Sequence, residues 1–359
     1  MSKIFSAVCV ILVCALAGPV SALGFTRLDH FPEAAPGAYG VVASGLSDGR
    51  FVVWNGDTVY VQSRAPVYLD GWTGEEHFRP IASGYAGDPG FIAVAPDGHT
   101  VLLGAGYSGK LYLLDTEYPE DYIPGSEVAT VTHYTGVFLT QDLVLLDSLK
   151  GDYSTDELAI VDVSAPMPTA VGVMDKPPAG DLNPGGFAAS AQVAVDASRT
   201  VLYTMSQVYD AGYMLVSNEL KGVLVSDLLD AYNSKAVLDW HLDATAIGGD
   251  GAFYSGGPAG VMPSGSLVIA GFGGVQIVNP AAAAIVAEYA PAGTLEYYSV
   301  AYNPYADIVL PIVADPADLS MDVVYAPEGA FGTLPAVSAV GLFLLVGAVI
   351  IAAGRRVSR

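Results

Sequence analysis

The stretch that decides the fold is "FIAVAPDGHTVLLGAGYSGKLYLLDT", Phe91–Thr116. It reads as an alternating strand, a Pro-Asp-Gly turn, a second strand, a Gly/Ser turn and a third strand that closes on Asp-Thr. Proline presets φ for a tight turn and glycine accepts the positive φ that such turns demand, so both breaks have a physical cause. Three consecutive antiparallel strands result.

Weaker copies lie on either side. They are Gly45–Gln62, Gly136–Ser164, Ala191–Asp227, Gly260–Pro280 and Tyr297–Pro327, which makes six units. Their first turns are marked by Asp48, Asp97, Asp142, Asp196, Ser264 and Pro304, at intervals of 49, 45, 54, 68 and 40 residues. Four-stranded propeller blades repeat every ~40–50 residues, so the spacing predicts an all-β propeller of six blades, with seven blades or a β-sandwich of look-alike hairpins as alternatives. The long interval is read as a loop or hairpin, Gln207–Leu220, inserted into the fourth unit. The final unit lacks a fourth strand, and "FTRLDHF" at Phe25–Phe31 is expected to supply it and close the ring.

On these residues the chain resembles the YVTN-type β-propeller repeat. Ala95-Pro96-Asp97-Gly98 and Leu114-Asp115-Thr116 match that pattern, and the other five units match by strand order and turn placement. Some propellers similar to this one are lactonases or metal-dependent hydrolases, so the resemblance admits an anchored hydrolase with a central-channel site as the alternative function.

Composition agrees with many short strands: 52% apolar residues, 41 Gly and 23 Pro, against 14% charged. Both ends stand apart. Lys3, the apolar run Ile4–Leu16 and small residues before Ala22 predict a signal peptide over residues 1–22, cleaved after Ala22; a retained membrane anchor is the other reading of so short a run. Cys9 and Cys14 both fall in it, so disulfides and thiol chemistry are not expected of the mature chain. Residues 23–331 are the expected ectodomain and residues 332–359 a C-terminal signal.

In that signal, Leu334–Gly354 holds a single polar side chain, Ser338, and as a helix would span about 31 Å, enough to cross a bilayer. Arg355, Arg356 and Arg359 follow and favour a cytoplasmic tail with the bulk of the chain outside. Leu334, Pro335, Val337, Ser338 and Gly341, then the apolar helix and the basic cluster, resemble the PEP-CTERM class of sorting signals, particularly its IPTL-type relatives of Gram-negative bacteria. Ala339 and Val340 depart from that pattern. The resemblance implies an exosortase-like processing enzyme and transfer to the outer surface or matrix; a simple single-span anchor is the alternative.

Without Lys3 and the three tail arginines, ten Lys+Arg face all 37 Asp+Glu, a formal charge of −27 on the exported part. Such a field repels nucleic acid. Chemistry-bearing motifs are sparse. His30, His77, His99, His133 and His241 show no zinc spacing, and neither a nucleophile elbow nor a phosphate loop occurs. Acidic clusters at Leu149–Glu157, Gly248–Gly251 and Ala314–Asp322 could attract calcium, though none reproduces a calcium loop. No catalytic, cofactor-binding or metal residue is therefore assigned. The expected function is a non-enzymatic binding and display module of the bacterial envelope, with an envelope protein or glycan as ligand.

Overall fold

The structure, a computed structural model, describes residues 26–31, 40–63, 78–106, 108–119, 126–127, 131–133, 135–150, 156–165, 167–175, 187–212, 214–236, 245–247, 258–271, 274–282, 284–289, 296–314 and 321–325. The signal peptide with Ala22, and the whole segment 332–359, lie outside them.

Strand β1 is Thr26–Phe31. Sheet 1 then runs through β2 (Val42–Gly45), β3 (Phe51–Trp54), β4 (Thr58–Gln62) and β5 (Phe78–Ser83). Sheet 2 holds β6 (Pro89–Val94), β7 (Thr100–Ala105), β8 (Lys110–Asp115) and β9 (Ser126–Glu127). In sheet 3, two short strands, β10 (Val131–Thr132) and β11 (Gly136–Phe138), share β12 (Leu143–Lys150), which pairs β13 (Asp156–Asp162) and then β14 (Thr169–Asp175). Sheet 4 is β15 (Phe187–Val195), β16 (Val201–Tyr209), β17 (Leu215–Leu224) and β18 (Thr245–Ile247), with helix α1 (Val225–Ser234) leaving the end of β17. Sheet 5 is β19 (Pro258–Val261), β20 (Leu267–Gly271), β21 (Gly274–Asn279) and β22 (Ala284–Tyr289). Sheet 6 joins β23 (Glu296–Asn303), β24 (Ile308–Ala314) and β25 (Met321–Tyr325) to β1 on its outer edge.

The last pairing is the closure expected of Phe25–Phe31. β1 runs antiparallel to β25, with Thr26 opposite Tyr325 and Phe31 opposite Met321. Opposite ends of the chain thus complete one sheet through backbone hydrogen bonds. The first strands also touch in sequence, β2 with β6, β6 with β11, β11 with β15, β15 with β19 and β19 with β23, and β23 touches β2.

Why the second strands are so apolar follows from this arrangement. In β3, Phe51 and Val53 join Phe78 of β5 in a core shared with sheet 6 (Ala301, Leu310, Ile312), while Val52 and Trp54 face a core shared with sheet 2 (Ile92, Leu103, Tyr112). β12 and β13 divide the same way: Val144, Leu146, Ala159 and Val161 turn toward sheet 2, and Leu145, Leu158 and Ile160 toward sheet 4. A strand sandwiched between neighbouring sheets buries both faces, so its sequence is a continuous apolar run rather than an alternation. Each such side chain removed from water contributes about 1.5–3 kcal/mol.

Two features of the fourth unit differ from expectation. Gln207–Leu220 is not an insertion between strands: β16 and β17 stay paired from Val201 opposite Leu224 out to Tyr209 opposite Leu215, so the segment simply lengthens the hairpin. The strand expected to run on through Asp227 stops at Leu224, and Val225 opens α1, which buries Val225, Leu228 and Ala231 against sheets 3 and 4. The helix and the lengthened hairpin together account for the 68-residue interval.

Candidate functional site

The marker residues Asp48, Asp97, Asp142, Asp196, Ser264 and Pro304 all fall in turns between the first and second strands of the six sheets. Four of these turns, those of sheets 6, 1, 2 and 3, are bonded each to the next. Asn303, fully buried, donates through Nδ2 to the carbonyls of Leu46 and Arg50 in sheet 1, at 3.1 and 2.9 Å, and its Oδ1 accepts the N–H groups of Tyr305 and Ala306. Ser47 N–H donates to Gly98 O at 3.1 Å. Asp97 accepts Gln141 Nε2 from sheet 3 at 2.7 Å and the Thr100 hydroxyl at 2.7 Å. Partial burial pushes the Asp97 carboxyl up, but bonds from Thr100, His99 and Gln141 outweigh it and hold its pKa below the ordinary value.

Inside these turns lies a cavity of about 150 Å³ walled by the first strands of all six sheets. Its polar side chains are Ser44, Thr135, Asp196, Arg199, Tyr302 and Tyr305. Among the described lining residues Asp196 is the single carboxylate, with no Asn or His beside it. The Asp196 oxygens are occupied: Oδ1 takes the N–H groups of Thr200 and Val201, at 2.6 and 2.7 Å, and Oδ2 takes the Ser198 hydroxyl. Thr135 Oγ1 accepts Val193 N–H at 3.2 Å, tying sheet 3 to sheet 4. Tyr302 donates to Asp307 at 2.8 Å; burial first, then that bond and the Asp307 charge, raise its phenol far above the usual range, so it stays a neutral donor.

Arg199 stands out. In sheets 1, 2 and 5 the fourth residue of the turn is Gly49, Gly98 or Gly265, at φ 88°, 83° and 82°, and its N–H donates three residues back, to Leu46, Ala95 and Met262 respectively. Arg199 holds the same place in sheet 4, at φ 53° with its N–H on Asp196 O. Left-handed backbone costs a non-glycine residue roughly 1–2 kcal/mol. Its guanidinium reaches two sheets away, Nη2 donating to Val94 O at 2.8 Å and Nη1 to Ala197 O at 3.3 Å, while Nε is buried and bonds nothing. Sequence reasoning marked Asp196 and passed over Arg199; the signal was "SR" where sibling turns carry "DG" or "SG".

A second cavity, about 370 Å³, shares Asp196, Ala197, Val261 and Pro304 with the first and adds Tyr203, Met262 and Pro263. It is a groove between sheets 4 and 5 that opens onto the channel mouth. Burial, then the nearby Asp196 charge, raise the Tyr203 phenol above its ordinary value.

The histidines scatter. His99 Nδ1 lies 3.2 Å from Asp115 Oδ1 and ties the first turn of sheet 2 to the end of its third strand, a more specific task than a generic turn residue has. His133 is buried edge-on to Phe91, with ring centroids 5.6 Å apart. His30 sits on β1; His77 and His241 lie outside the described residues. Of the acidic clusters, residues 151–155, 248–251 and 315–320 also lie outside, and among the described residues no group of three or more His, Cys, Asp or Glu could hold a metal. Among them, too, no helix is long and apolar enough to cross a membrane; Leu334, Pro335, Ser338, Gly341, Arg355 and Arg356 are not included.

The fold defines the class: an all-β propeller. No family model and no curated protein matches the chain. Solved structures do. One is the β-propeller domain of Cps50 (Swd1) from Myceliophteria thermophila, 11% identical over 85% of this chain and 100% of that one, TM-score 0.49. Another is a chain of a mitotic checkpoint complex, 11% identical over 87% and 95%, TM-score 0.50. A third, hydrazine synthase of Kuenenia stuttgartiensis, is 12% identical over 81% and 80%, TM-score 0.46. At such identities the likeness is one of fold alone.

Proposed function

We propose that the chain is an exported, envelope-anchored six-bladed propeller that binds and displays rather than catalyses. The observation that carries the binding role is the channel lining, where the one carboxylate among the described residues is engaged by its own turn and a left-handed arginine lines the cavity. General acid–base chemistry needs a titratable group within reach of a substrate proton, and Asp196 already accepts three bonds from its own turn. Six blades are supported by six sheets whose first strands touch in a cycle.

Export is supported by the Lys3-led apolar leader ending at Ala22, and anchoring by the apolar run Leu334–Gly354 followed by Arg355 and Arg356. The Pro335 region, unable to continue a regular helix, suits access by an exosortase-like enzyme, after which the ectodomain would pass to the outer surface or matrix. The partners are then the membrane, that enzyme, and an envelope protein or glycan.

Mass spectrometry of the protein isolated from native membranes tests this reading. It predicts an N-terminus at Leu23 and either a C-terminus near Pro335, which means processing, or an intact Arg359 in the membrane fraction, which means a permanent span. A freely soluble chain that begins at Met1 would refute it.

A further inference from the structure

We infer that the channel mouth takes the terminal carboxylate of a ligand whose body is uncharged and apolar, with Arg199 as the recognition group. This rests on the binding role proposed above and names the ligand's chemistry. Four observations meet at one residue. Arg199 keeps a backbone conformation that three sibling turns give to glycine. Its guanidinium makes no ion pair among the described residues, spending its bonds on two neutral carbonyls. Its Nε is buried and unpartnered on a side chain that lines the cavity, a donor whose desolvation is uncompensated. The neighbouring carboxylate, Asp196, is held by Ser198, Thr200 and Val201 and does not touch it.

Size and charge narrow the ligand. The 150 Å³ channel cavity is smaller than the ~300–1,000 Å³ of whole-ligand sites, so it suits an end group, while the adjoining 370 Å³ groove can hold a body. Away from Asp196 and Ser198 at one end, that groove is lined by Tyr203, Val261, Met262, Pro263 and Pro304, which favours apolar matter. A formal charge of −27 on the exported part excludes polyanions at long range, whereas one carboxylate meets the guanidinium inside about one Debye length, ~8 Å at physiological salt. A planar guanidinium matches a carboxylate in charge and geometry. The acid has two sources, a free monocarboxylate or the C-terminus of a peptide.

The test uses the full chain in a maltoside detergent, labelled with 15N-arginine, whose eight arginines give resolvable Nε–H signals. Hexanoate and N-acetyl-Ala-Val-Leu with a free carboxylate are titrated against hexanamide and the amidated peptide. Arg199→Gly assigns the signal and, by restoring the residue of three sibling turns, should fold; a thermal melt checks that it has. The expected result is a saturable shift of the Arg199 Nε–H by at least one acid, none by either amide, and, by isothermal titration calorimetry, at least tenfold weaker binding in Arg199→Gly. The tighter arm names the source. No shift with either acid, equal binding of an amide, unchanged binding in Arg199→Gly, or tighter binding of tetragalacturonate than of hexanoate would overturn the inference. Membrane isolation and terminal mass spectrometry judge the anchored-display role separately, so the two can fail independently.

Discussion

Asn303 and Asp97 do for the turns what no strand pairing does: they bond across sheets. Asn303 is buried and makes two bonds to sheet 1 and two within its own turn, and Gly45 opposite it leaves no room for a side chain, since a Cβ there would clash with Asn303 Cα. Asn303→Ala removes the buried bond to Leu46 O and leaves two part-buried N–H groups without their acceptor, so we expect a loss of about 2 kcal/mol in urea unfolding, with the slope unchanged. Asp97 adds a pH term. Its folded pKa is depressed, so its contribution is present above pH ~4, the unfolded value, and is lost as pH falls through the lower folded value. The stability gap between the native chain and Asp97→Asn should therefore be larger at pH 7 than at pH 2.5, measured by urea midpoints. A gap that widens on acidification would mean the carboxylate is not held as described. Arg199 belongs to the same scale, but its task is toward a ligand.

Among the elements, α1 is the one that sequence patterning misses, and the reason is local. "VLVSD", Val223–Asp227, runs from β17 into the helix without glycine or proline, and Leu224 at the N-cap offers no side-chain cap. The helix stops at Lys235, left-handed at φ 57° where glycine usually stands, so the ordinary stop signal is absent as well. Packing compensates. Leu228 is fully buried between sheets 3 and 4, and Tyr232 lies over Gly172 of β14, where a Cβ would approach its ring to 2.8 Å. Leu228→Ala should cost about 2–4 kcal/mol by thermal unfolding, and speed amide exchange in α1 more than in β16. An effect below 1 kcal/mol would show that the helix is not seated on that core. The strands themselves were legible, because turn residues punctuate them: six turns were placed from Asp, Ser and Pro alone, and the fourth strands were the uncertain ones, β9 and β18 having two and three residues.

For the whole molecule, order was readable and convergence was not. A period of 40–68 residues gives the number and sequence of sheets, but the channel brings together Ser44, Thr135, Arg199 and Tyr302, far apart in the chain and from four different units. Nothing in any one unit says that its first strand faces a shared cavity. Closure, by contrast, was legible, because a lone alternating strand precedes the first unit and the last unit lacks one. Removing Thr26–Phe31 should leave β25 an unpaired edge, lowering the melting temperature and promoting self-association in sedimentation; an unchanged monomer would contradict that role. The most direct measurement is a register-specific cross-link. His30 lies opposite Asp322 across β1 and β25, and facing residues in an antiparallel pair are ~4.5–5.5 Å apart at Cα, within disulfide range. With Cys9 and Cys14 replaced by serine, the pair His30→Cys and Asp322→Cys should form an intramolecular disulfide on oxidation, while His30→Cys with Val173→Cys on sheet 3 should not. A chain that links the second pair, or only links to other molecules, would contradict a ring closed by its own two ends.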